Sequence, residues 1–267
     1  MKKTIQTISV IGLLSLPLSA QKITLEGSTT VLPIAQKAAE VYTKKYPSSN
    51  ITVKGGGSGI GISSLIEGLC DIANASRAVK EKELNNAAKK NRELKAHIIA
   101  MDGIVIIVHP SNQINDINKE ALQKIFTGKI KNWKELGGGD KKIIAVSRDS
   151  SSGTFEFFTE YVLDKKRTRA DAIMQASNQG VLNFVANTEG AIGYIGHGYV
   201  NDKVKALKYE GIESTKDNIL KNKYKLARPL YMYSLKNANP DVLKFIDFIK
   251  GQEGQAIVEE TGFIPLK

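Results

Sequence analysis

The stretch KAHIIAMDGIVIIVH, Lys95 to His109, is the part of the sequence that decides the fold. It is much longer than the roughly five or six residues of an ordinary strand. Asp102 and Gly103 interrupt its apolar pattern, although aspartate and glycine are poor choices for the centre of a buried strand. We therefore interpret the stretch as a crossing from one domain to another, with Gly103 supplying backbone freedom at the junction.

A second strand-like run near the carboxyl end predicts the return crossing. The run from Arg228 to Ser234 is followed by two segments with helical periodicity. Together the two crossings predict a discontinuous domain I, residues 21–103 plus 231–267, and a domain II, residues 104–230.

Strand-like and helix-like segments alternate through both predicted domains. Val31 to Tyr42 places its apolar residues on one helical face, Ile51 to Lys54 is a short β-branched run, and Glu81 to Leu94 has the pattern of a helix. Strands that alternate with helices of about ten to fifteen residues predict an α/β fold with a doubly wound, parallel sheet.

Length and cysteine content exclude several classes of protein. The chain has 267 residues and a mass of 29.1 kDa, enough for one or two domains with a substantial core. Its single cysteine, Cys70, rules out an internal disulfide and a multi-cysteine metal site. The three histidines lie far apart in the sequence, and we expect no metal site and no cofactor.

The first twenty residues have the pattern of a secretory signal peptide. Lys2 and Lys3 precede a mainly apolar run from Ile8 to Leu18, and small residues follow up to Ala20. The run is too short to span a bilayer, and no cysteine directly follows it to carry a lipid. We therefore predict cleavage near residue 20 and export across the cytoplasmic membrane, without a lipoprotein anchor.

The net charge of the chain is +11, and removal of residues 1–20 with their two lysines leaves +9. Such an excess permits nucleic-acid binding. However, the lysines are interleaved with glutamates along the predicted helix surfaces, as in Lys80 to Glu83. This distribution is typical of solvated helix faces, so we predict no nucleic-acid partner.

Three short segments combine glycine with hydroxyl residues between a strand and a helix. They are Gly27 to Thr30, Gly55 to Gly61, and Ser150 to Thr154. Each would place N–H groups and hydroxyls at a helix amino terminus, where anions bind. Any one of them is equally explained as an ordinary turn and helix cap. Since strand-to-helix loops gather at one edge of a doubly wound sheet, the three together predict an anion site.

The glycine-rich segments do not match the patterns that bind nucleotides. The sequence contains no Gly-x-x-x-x-Gly-Lys-Ser/Thr loop, and neither Gly55 nor Gly57 starts a Gly-x-Gly-x-x-Gly fingerprint. Gly57-Ser58-Gly59 also lacks the second glycine of a nucleophile elbow. The segments therefore suit an anion without its nucleotide.

Three charged residues refine this prediction. Arg148 lies four residues before Ser152 and could reach the same anion, although a surface ion pair with Asp149 explains it equally well. Arg77 is a second candidate cation, either for the anion or for positioning its neighbours. The carboxylate of Asp102 would repel a fully ionised anion but would accept a hydrogen bond from a protonated one, such as hydrogen phosphate.

Along nearly its whole length after residue 20, the chain resembles the phosphate-binding proteins of ABC transporters, of the short type. The resemblance rests on motifs whose order and spacing are specific together: Gly27-Ser28-Thr29-Thr30-Val31, Gly57-Ser58-Gly59, Ala75-Ser76-Arg77, Met101-Asp102-Gly103-Ile104, Ile125-Phe126-Thr127-Gly128-Lys129, Arg148 to Thr154, Gly190-Ala191-Ile192-Gly193-Tyr194 and Gly262-Phe263-Ile264-Pro265-Leu266. It implies a two-domain periplasmic binding protein fold of type II, in which each domain is a mixed sheet flanked by helices.

The resemblance also implies a binding site in the cleft between the domains. The implied phosphate-binding residues are Ser28, Thr29, Thr30, Ser58, Ser76, Arg77, Asp102, Arg148, Ser152, Gly153 and Thr154. In such a site Asp102 would accept the proton of the anion and Arg148 would pair with its charge. Two positions depart from the family pattern: Ser151 replaces a usual glycine, and Phe155 stands where many short members have arginine.

The function implied is high-affinity capture of inorganic phosphate in the periplasm and delivery to the membrane permease of an ABC importer, by hinge closure and without catalysis. The family expectation is a monomer. A receptor for sulfate or another oxyanion on the same scaffold is the alternative within the binding class. A secreted hydrolase of phosphate esters is the alternative from another class, but the sequence shows neither an activated nucleophile nor clustered metal ligands.

Overall fold

The computed structural model describes residues 22–266. The predicted signal peptide, residues 1–20, lies outside this range. Within it, every helix is too short or too polar to cross a membrane.

Within residues 22–266 the chain forms eleven strands and nine α-helices. The strands are β1 (Lys22–Gly27), β2 (Asn50–Gly55), β3 (Ile72–Ala75), β4 (Leu94–Val108), β5 (Asp116–Ile117), β6 (Ile144–Arg148), β7 (Ile173–Gln175), β8 (Ala191–Gly196), β9 (Lys205–Ala206), β10 (Lys208–Tyr209) and β11 (Ala227–Leu235). The helices are α1 (Leu32–Lys45), α2 (Ser58–Glu67), α3 (Glu81–Lys89), α4 (Lys119–Phe126), α5 (Gly153–Tyr161), α6 (Asn178–Ala186), α7 (Lys216–Leu220), α8 (Pro240–Lys250) and α9 (Gln252–Glu260).

The long strand β4 links two halves of one continuous sheet, whose order is β2-β1-β3-β11-β4-β8-β6-β7 with β9 beside β4. Leu94 to Gly103 of β4 pair with β11, whereas Ile104 to Val108 pair with β8. We call the half built on β1, β2 and β3 lobe I, and the half built on β6, β7 and β8 lobe II. The strand changes partner between Gly103 and Ile104, beside the glycine that the sequence singles out. The domain limits 21–103 plus 231–267 and 104–230 stay a prediction.

The sheet is mixed, which confirms what the family resemblance implies, whereas the parallel sheet predicted from the alternation of strands and helices is wrong at the centre. In lobe I, β1 pairs in parallel with β2 and β3, and in lobe II β6 pairs in parallel with β7 and β8. β11 is antiparallel to both β3 and β4, and β4 is antiparallel to β8. The physical reason is directional: β4 carries the chain out of lobe I and the neighbouring β11 carries it back.

Helices pack against both faces of the sheet, because successive side chains along each strand point to opposite faces. Ile104 and Ile106 of β4 belong to the apolar cluster formed with α4 and α5, whereas Val105 and Ile107 face the cluster formed with α6. In lobe I, one cluster includes α1, α8 and α9, and another includes α2. This layering is why the loops that connect strands to helices gather at the junction between the lobes.

One predicted helix is shorter in the structure. The helix predicted over residues 81–94 ends at Lys89, because Asn91 adopts a left-handed conformation with φ of 53° and β4 begins at Leu94.

Helix α2 packs tightly on β1 at Gly61, where a Cβ atom would lie 2.6 Å from Gly27 Cα. This close approach holds the amino terminus of α2 beside the loop that follows β1.

Candidate anion-binding site

The three glycine- and hydroxyl-rich loops meet at the junction of the two lobes. Ser58 is the first residue of α2, and Ser152 is the N-cap of α5, with its Oγ accepting from Phe155 N at 3.3 Å. Gly153 lies against lobe I, where a Cβ atom would come within 2.8 Å of Ser76 Oγ and 3.0 Å of Ser58 Cβ, and closer still to Ser58 Oγ. Only glycine permits this approach, so α5 of lobe II starts directly on the hydroxyls of lobe I.

Buried hydroxyl groups line the junction. Thr30 Oγ1 and Thr154 Oγ1 lie 3.1 Å apart and join the two lobes, and Ser58 Oγ lies 3.3 Å from Ser76 Oγ and accepts from Ser76 N at 3.0 Å. Thr29 is likewise buried. The structure thus brings together residues that lie up to 126 positions apart in the sequence, from Ser28 to Thr154.

Ser28 is held in a different way from the threonines that follow it. Its Oγ accepts hydrogen bonds from Thr30 N at 3.1 Å and from Val31 N at 3.4 Å. These bonds satisfy N–H groups just ahead of α1, in the manner of a local hydroxyl turn. The side chain of Ser28 therefore shapes the loop that presents Thr29 and Thr30.

Arg148 is buried at the end of β6, with only 1% of its surface exposed. Its Nε donates to Gln175 O at 2.9 Å, and its Nη2 donates to Ala176 O at 2.9 Å and to Thr29 Oγ1 at 3.2 Å. The nearest carboxylate oxygen, Asp149 Oδ2, lies 3.9 Å from Nη2. Backbone carbonyls therefore orient this guanidinium, and burial lowers its pKa.

Arg228, on β11, is a second buried arginine of the site that the sequence reasoning missed; 2% of it is exposed. Its Nε and Nη2 donate to Asp102 Oδ2 at 3.0 and 2.9 Å, and Nη2 also donates to Thr154 Oγ1 at 2.9 Å. A signal was available, since an arginine in the apolar run Leu226 to Met232 must find a buried acceptor.

Asp102 is completely buried at the point where β4 passes between the lobes. Besides the two bonds from Arg228, it accepts from the backbone N–H of His197 at 2.9 Å through Oδ1. Burial raises the pKa of the Asp102 carboxyl, and the charge of Arg228 opposes that rise. The carboxylate is thus an acceptor with spare capacity on Oδ1, because each of its oxygens has two lone-pair positions.

Both buried arginines keep one nitrogen without a partner. The Nη1 atoms of Arg148 and Arg228 have no hydrogen-bond partner among residues 22–266. A buried, unsatisfied donor on a cation is costly, so each of these groups favours a charged acceptor beside it. Within the described part of the chain, Asp102 is the one buried carboxylate beside the two arginines, and Asp149 is partly exposed and 3.9 Å from Arg148 Nη2. The site therefore keeps a positive balance, which suits an anion.

Arg77, a predicted site residue, is engaged elsewhere. Its guanidinium donates to Glu83 through Nη1 and Nη2, each at 2.8 Å, and to Ala78 O at 2.9 Å, and its Nε forms an ion pair with Glu156. Glu156 also pairs with Lys80 Nζ at 2.7 Å. These partners hold Arg77 at the rim between α3 of lobe I and α5 of lobe II.

Asn178 and Tyr199 are further residues of the junction that the sequence reasoning missed. Asn178 Nδ2 donates to Thr29 Oγ1 at 3.2 Å and to Thr30 Oγ1 at 3.0 Å, and the Tyr199 hydroxyl donates to Thr29 O at 2.5 Å. No sequence motif marks either residue, because each belongs to lobe II and contacts a loop of lobe I that lies 148 to 170 residues away.

The chemistry of this arrangement is that of a donor-rich receptor for a small oxyanion. Hydroxyls, helix amino termini and two guanidinium groups supply donors, and Asp102 supplies one acceptor. Among residues 22–266 there is no cluster of three or more histidine, cysteine, aspartate or glutamate side chains that could hold a metal ion.

Two lobes joined by crossing strands, with a buried donor-lined site between them, define the class of periplasmic binding proteins with the type II fold. A family model, the PBP superfamily domain, matches residues 16–253. Phosphate-binding protein PstS of Bacillus subtilis is 38% identical over 246 residues, covering 91% of this chain and 80% of that protein. The PstS protein of Borreliella burgdorferi is 35% identical over 257 residues, covering 92% of this chain and 90% of that protein.

A solved structure gives the same result. The crystal structure of a phosphate ABC transporter substrate-binding protein from Clostridium perfringens, with bound phosphate, matches with a TM-score of 0.87 and 36% identity, covering 92% of this chain and 100% of that one. This chain belongs to the PBP superfamily and, within it, to the family of the PstS phosphate-binding proteins.

Proposed function

We propose that this protein binds inorganic phosphate outside the cytoplasmic membrane and delivers it to the permease of an ABC importer. The observation that carries the proposal is the pair of buried Nη1 atoms of Arg148 and Arg228, which have no partner among residues 22–266. The Nη2 atoms of the same two guanidinium groups donate to the hydroxyls of Thr29 and Thr154. The names of the relatives, phosphate-binding proteins of this family, supply the identity of the anion.

The proposed ligands come from both lobes. Lobe I contributes hydroxyls and N–H groups at the amino ends of α1 and α2, and lobe II contributes Arg148 and the amino end of α5. We assign the binding role to Thr29, Thr30, Ser58, Ser76, Asp102, Arg148, Ser152, Gly153, Thr154 and, in addition, Arg228. Ser28 and Arg77 have supporting roles in this scheme. Ser28 shapes the loop that presents Thr29 and Thr30, and Arg77 pairs with Glu83 and Glu156 at the rim of the site.

Asp102 accounts for the choice among oxyanions. The free lone-pair position on its Oδ1 can accept a hydrogen bond from the proton of hydrogen phosphate, and it repels sulfate, which has no proton to give. A pKa raised by burial makes this carboxylate more basic and so a better acceptor. A sulfate receptor, the alternative within the class, would have no use for a buried acceptor at this position.

Hinge closure is the proposed mechanism. β4 and β11 connect the lobes, and contacts across the junction such as Gly59 N to Ser151 O at 2.9 Å form only when the lobes are together. Closure replaces the water around the anion with fixed donors, and the closed form is the one that the permease recognises. No bond is broken in this mechanism, so the protein acts as a receptor and not as an enzyme. We propose that the receptor is a monomer.

Titration calorimetry tests the proposal. The protein without residues 1–20, stripped of bound ligand by unfolding and refolding, is titrated with phosphate and then with sulfate at pH 7 to 8. One-to-one phosphate binding with micromolar or tighter affinity, and no heat from sulfate, is the expected result. Binding of sulfate alone would contradict the role of Asp102, and absence of binding to either anion would overturn the function.

The rival from another class needs a separate assay. Hydrolysis of a phosphate monoester is measured with and without added divalent metal ions. We expect no turnover above the uncatalysed rate. Robust turnover would show that the protein is a hydrolase and would overturn its assignment as a receptor.

A further inference from the structure

Asn178 occupies a position that the binding scheme so far does not use. It is the first residue of α6 in lobe II and is completely buried. Its side-chain nitrogen donates to Thr29 Oγ1 at 3.2 Å and to Thr30 Oγ1 at 3.0 Å, both in lobe I. One amide group therefore contacts two adjacent hydroxyls of the proposed phosphate site.

The orientation of this amide follows from its other neighbour. Asn178 Oδ1 accepts a hydrogen bond from the backbone N–H of Gly196 at 3.1 Å. A backbone N–H can only donate, so the amide oxygen must face Gly196 and the NH₂ group must face the threonines. Rotation of the amide would place its NH₂ group against the N–H of Gly196, a donor against a donor, and would lose that hydrogen bond.

The polarity of the threonine hydroxyls follows in turn. Thr29 Oγ1 receives hydrogen bonds from Asn178 Nδ2 and from Arg148 Nη2, both of which can only donate. Both acceptor positions of that oxygen are then filled, and its own hydrogen has no acceptor among residues 22–266. The hydroxyl of Thr29 is therefore available solely as a donor.

The same reasoning applies to the pair Thr30 and Thr154. Thr30 Oγ1 receives Asn178 Nδ2, and Thr154 Oγ1 receives Arg228 Nη2 at 2.9 Å. Their mutual contact at 3.1 Å uses one of the two hydroxyl hydrogens, and the other is left over. Arg228 Nη2 also lies 3.5 Å from Thr30 Oγ1, so nitrogen donors supply both members of the pair. Two hydroxyl hydrogens then remain for an external acceptor, that of Thr29 and one of the Thr30–Thr154 pair.

We propose that Asn178 is a positioning residue that turns the hydroxyl of Thr29 and one hydroxyl of the Thr30–Thr154 pair into fixed donors toward the bound anion. This inference deepens the proposed function and rests on it. Preorganised donors cost no reorientation when the ligand arrives, which is how a receptor distinguishes an anion from water, a ligand that offers hydrogens as well as lone pairs.

Two substitutions at Asn178 distinguish this role from that of a simple tie, by which we mean a hydrogen-bond contact that only holds the two lobes together. Asn178→Asp keeps the size of the side chain and its acceptor for Gly196, and it still contacts both threonines, but only as an acceptor. Asn178→Ala removes all contacts. A tie predicts that the aspartate variant binds phosphate better than the alanine variant, whereas control of hydroxyl polarity predicts the opposite order.

The test measures phosphate affinity by calorimetry and the melting temperature of the phosphate-free protein. We expect Asn178→Ala to weaken phosphate binding about 10-fold and to lower the melting temperature. We expect Asn178→Asp to weaken binding more than about 100-fold, because the hydroxyls turn toward the new carboxylate and a like charge faces the anion. Its melting temperature should stay at or above that of the alanine variant, since the carboxylate balances the two arginines.

Asn183→Asp is the matched control, with the same chemical change at an exposed position of the same helix. It should leave phosphate affinity within about twofold of wild type. The inference is overturned if the aspartate variant binds as tightly as the alanine variant, or if the control loses as much affinity. Failure of the wild-type protein to bind phosphate would instead overturn the proposed function itself.

A double-mutant cycle gives an independent answer if the aspartate variant does not fold. Asn178→Ala is combined with Thr29→Val and Thr30→Val, which remove the hydroxyls through which the amide acts. We expect the substitution at Asn178 to cost little further affinity in this background. Additive losses would show that Asn178 does not act through the threonines.

Discussion

Arg148 and Arg228 balance their buried charges by different means. Arg228 has the carboxylate of Asp102 at 2.9 Å, whereas Arg148 relies on carbonyl dipoles of Gln175 and Ala176. The charge of Arg148 is therefore the less compensated of the two, and the proposed anion is its natural counter-charge. Arg228, in contrast, serves Asp102 and Thr154 at the same time.

A substitution of Asp102 tests its role as the proton acceptor. Asp102→Asn should weaken phosphate binding and relax the rejection of sulfate, because an amide NH₂ can donate to an unprotonated oxyanion. Calorimetry with both anions measures the ratio of the two affinities. An unchanged ratio would assign selectivity to another residue.

Arg228→Lys keeps the positive charge beside Asp102 but loses the forked guanidinium group, which donates to Asp102 and to Thr154 at the same time. Arg228→Ala leaves a buried carboxylate unpaired and should lower the free energy of unfolding by about 3 kcal/mol. We expect the lysine variant to recover part of this stability without recovering phosphate affinity. Urea denaturation and calorimetry on both variants make the comparison, and equal recovery of both properties would contradict a role of the fork in binding.

At the scale of elements, helix α5 has contacts with both lobes. Its amino end belongs to the proposed site, and Glu156 in its first turn pairs with Arg77 and Lys80 of lobe I. Ser151, just ahead of the helix, donates to Gly56 O at 2.8 Å. The serine that departs from the family pattern thus forms an additional hydrogen bond across the junction.

Glu156→Gln should weaken phosphate binding roughly 3- to 10-fold, because it removes ion pairs that favour the closed arrangement. The loss should be larger at low salt than at high salt, since salt screens the pairs in the wild-type protein. Glu160→Gln, one turn later on the same helix and exposed, is the control. Equal effects of the two substitutions at every salt concentration would argue against a contribution to closure.

At the scale of the whole molecule, the lobes meet most closely where Gly153 faces Ser58 and Ser76. Because β4 and β11 both pass through the junction, a clash at this point is transmitted to the relative position of the lobes. The cores of the two lobes are separate apolar clusters with their own helices, so such a clash should leave each of them intact.

Gly153→Ala tests this closure. A Cβ atom at this position would lie 3.0 Å from Ser58 Cβ, so the lobes must stay apart and phosphate affinity should fall at least about 100-fold. Small-angle scattering should show that phosphate reduces the radius of gyration of the wild-type protein but not of the variant. A variant that still compacts on adding phosphate would refute the role of this contact.

The sequence by itself determined much of the scaffold and part of the candidate site. Periodicity in 95–109 and the placement of Asp102-Gly103 located the strand that joins the lobes, and the glycine and hydroxyl loops located three helix amino termini. These features are local, because a strand, a turn or a helix cap depends on neighbouring residues. The resemblance to a known family extended them to a set of site residues and to the type II fold.

Only the tertiary structure decided which distant side chains complete the site. Arg228 meets Asp102 across 126 residues of sequence, and Asn178 meets Thr30 across 148. Neither lies in a motif, and each depends on how β11 and α6 are carried back to the junction. The antiparallel pairing at the centre of the sheet likewise depends on how β11 returns to the junction beside β4. Hydrogen bonds between distant groups arise from the packing of whole lobes, which no local pattern encodes.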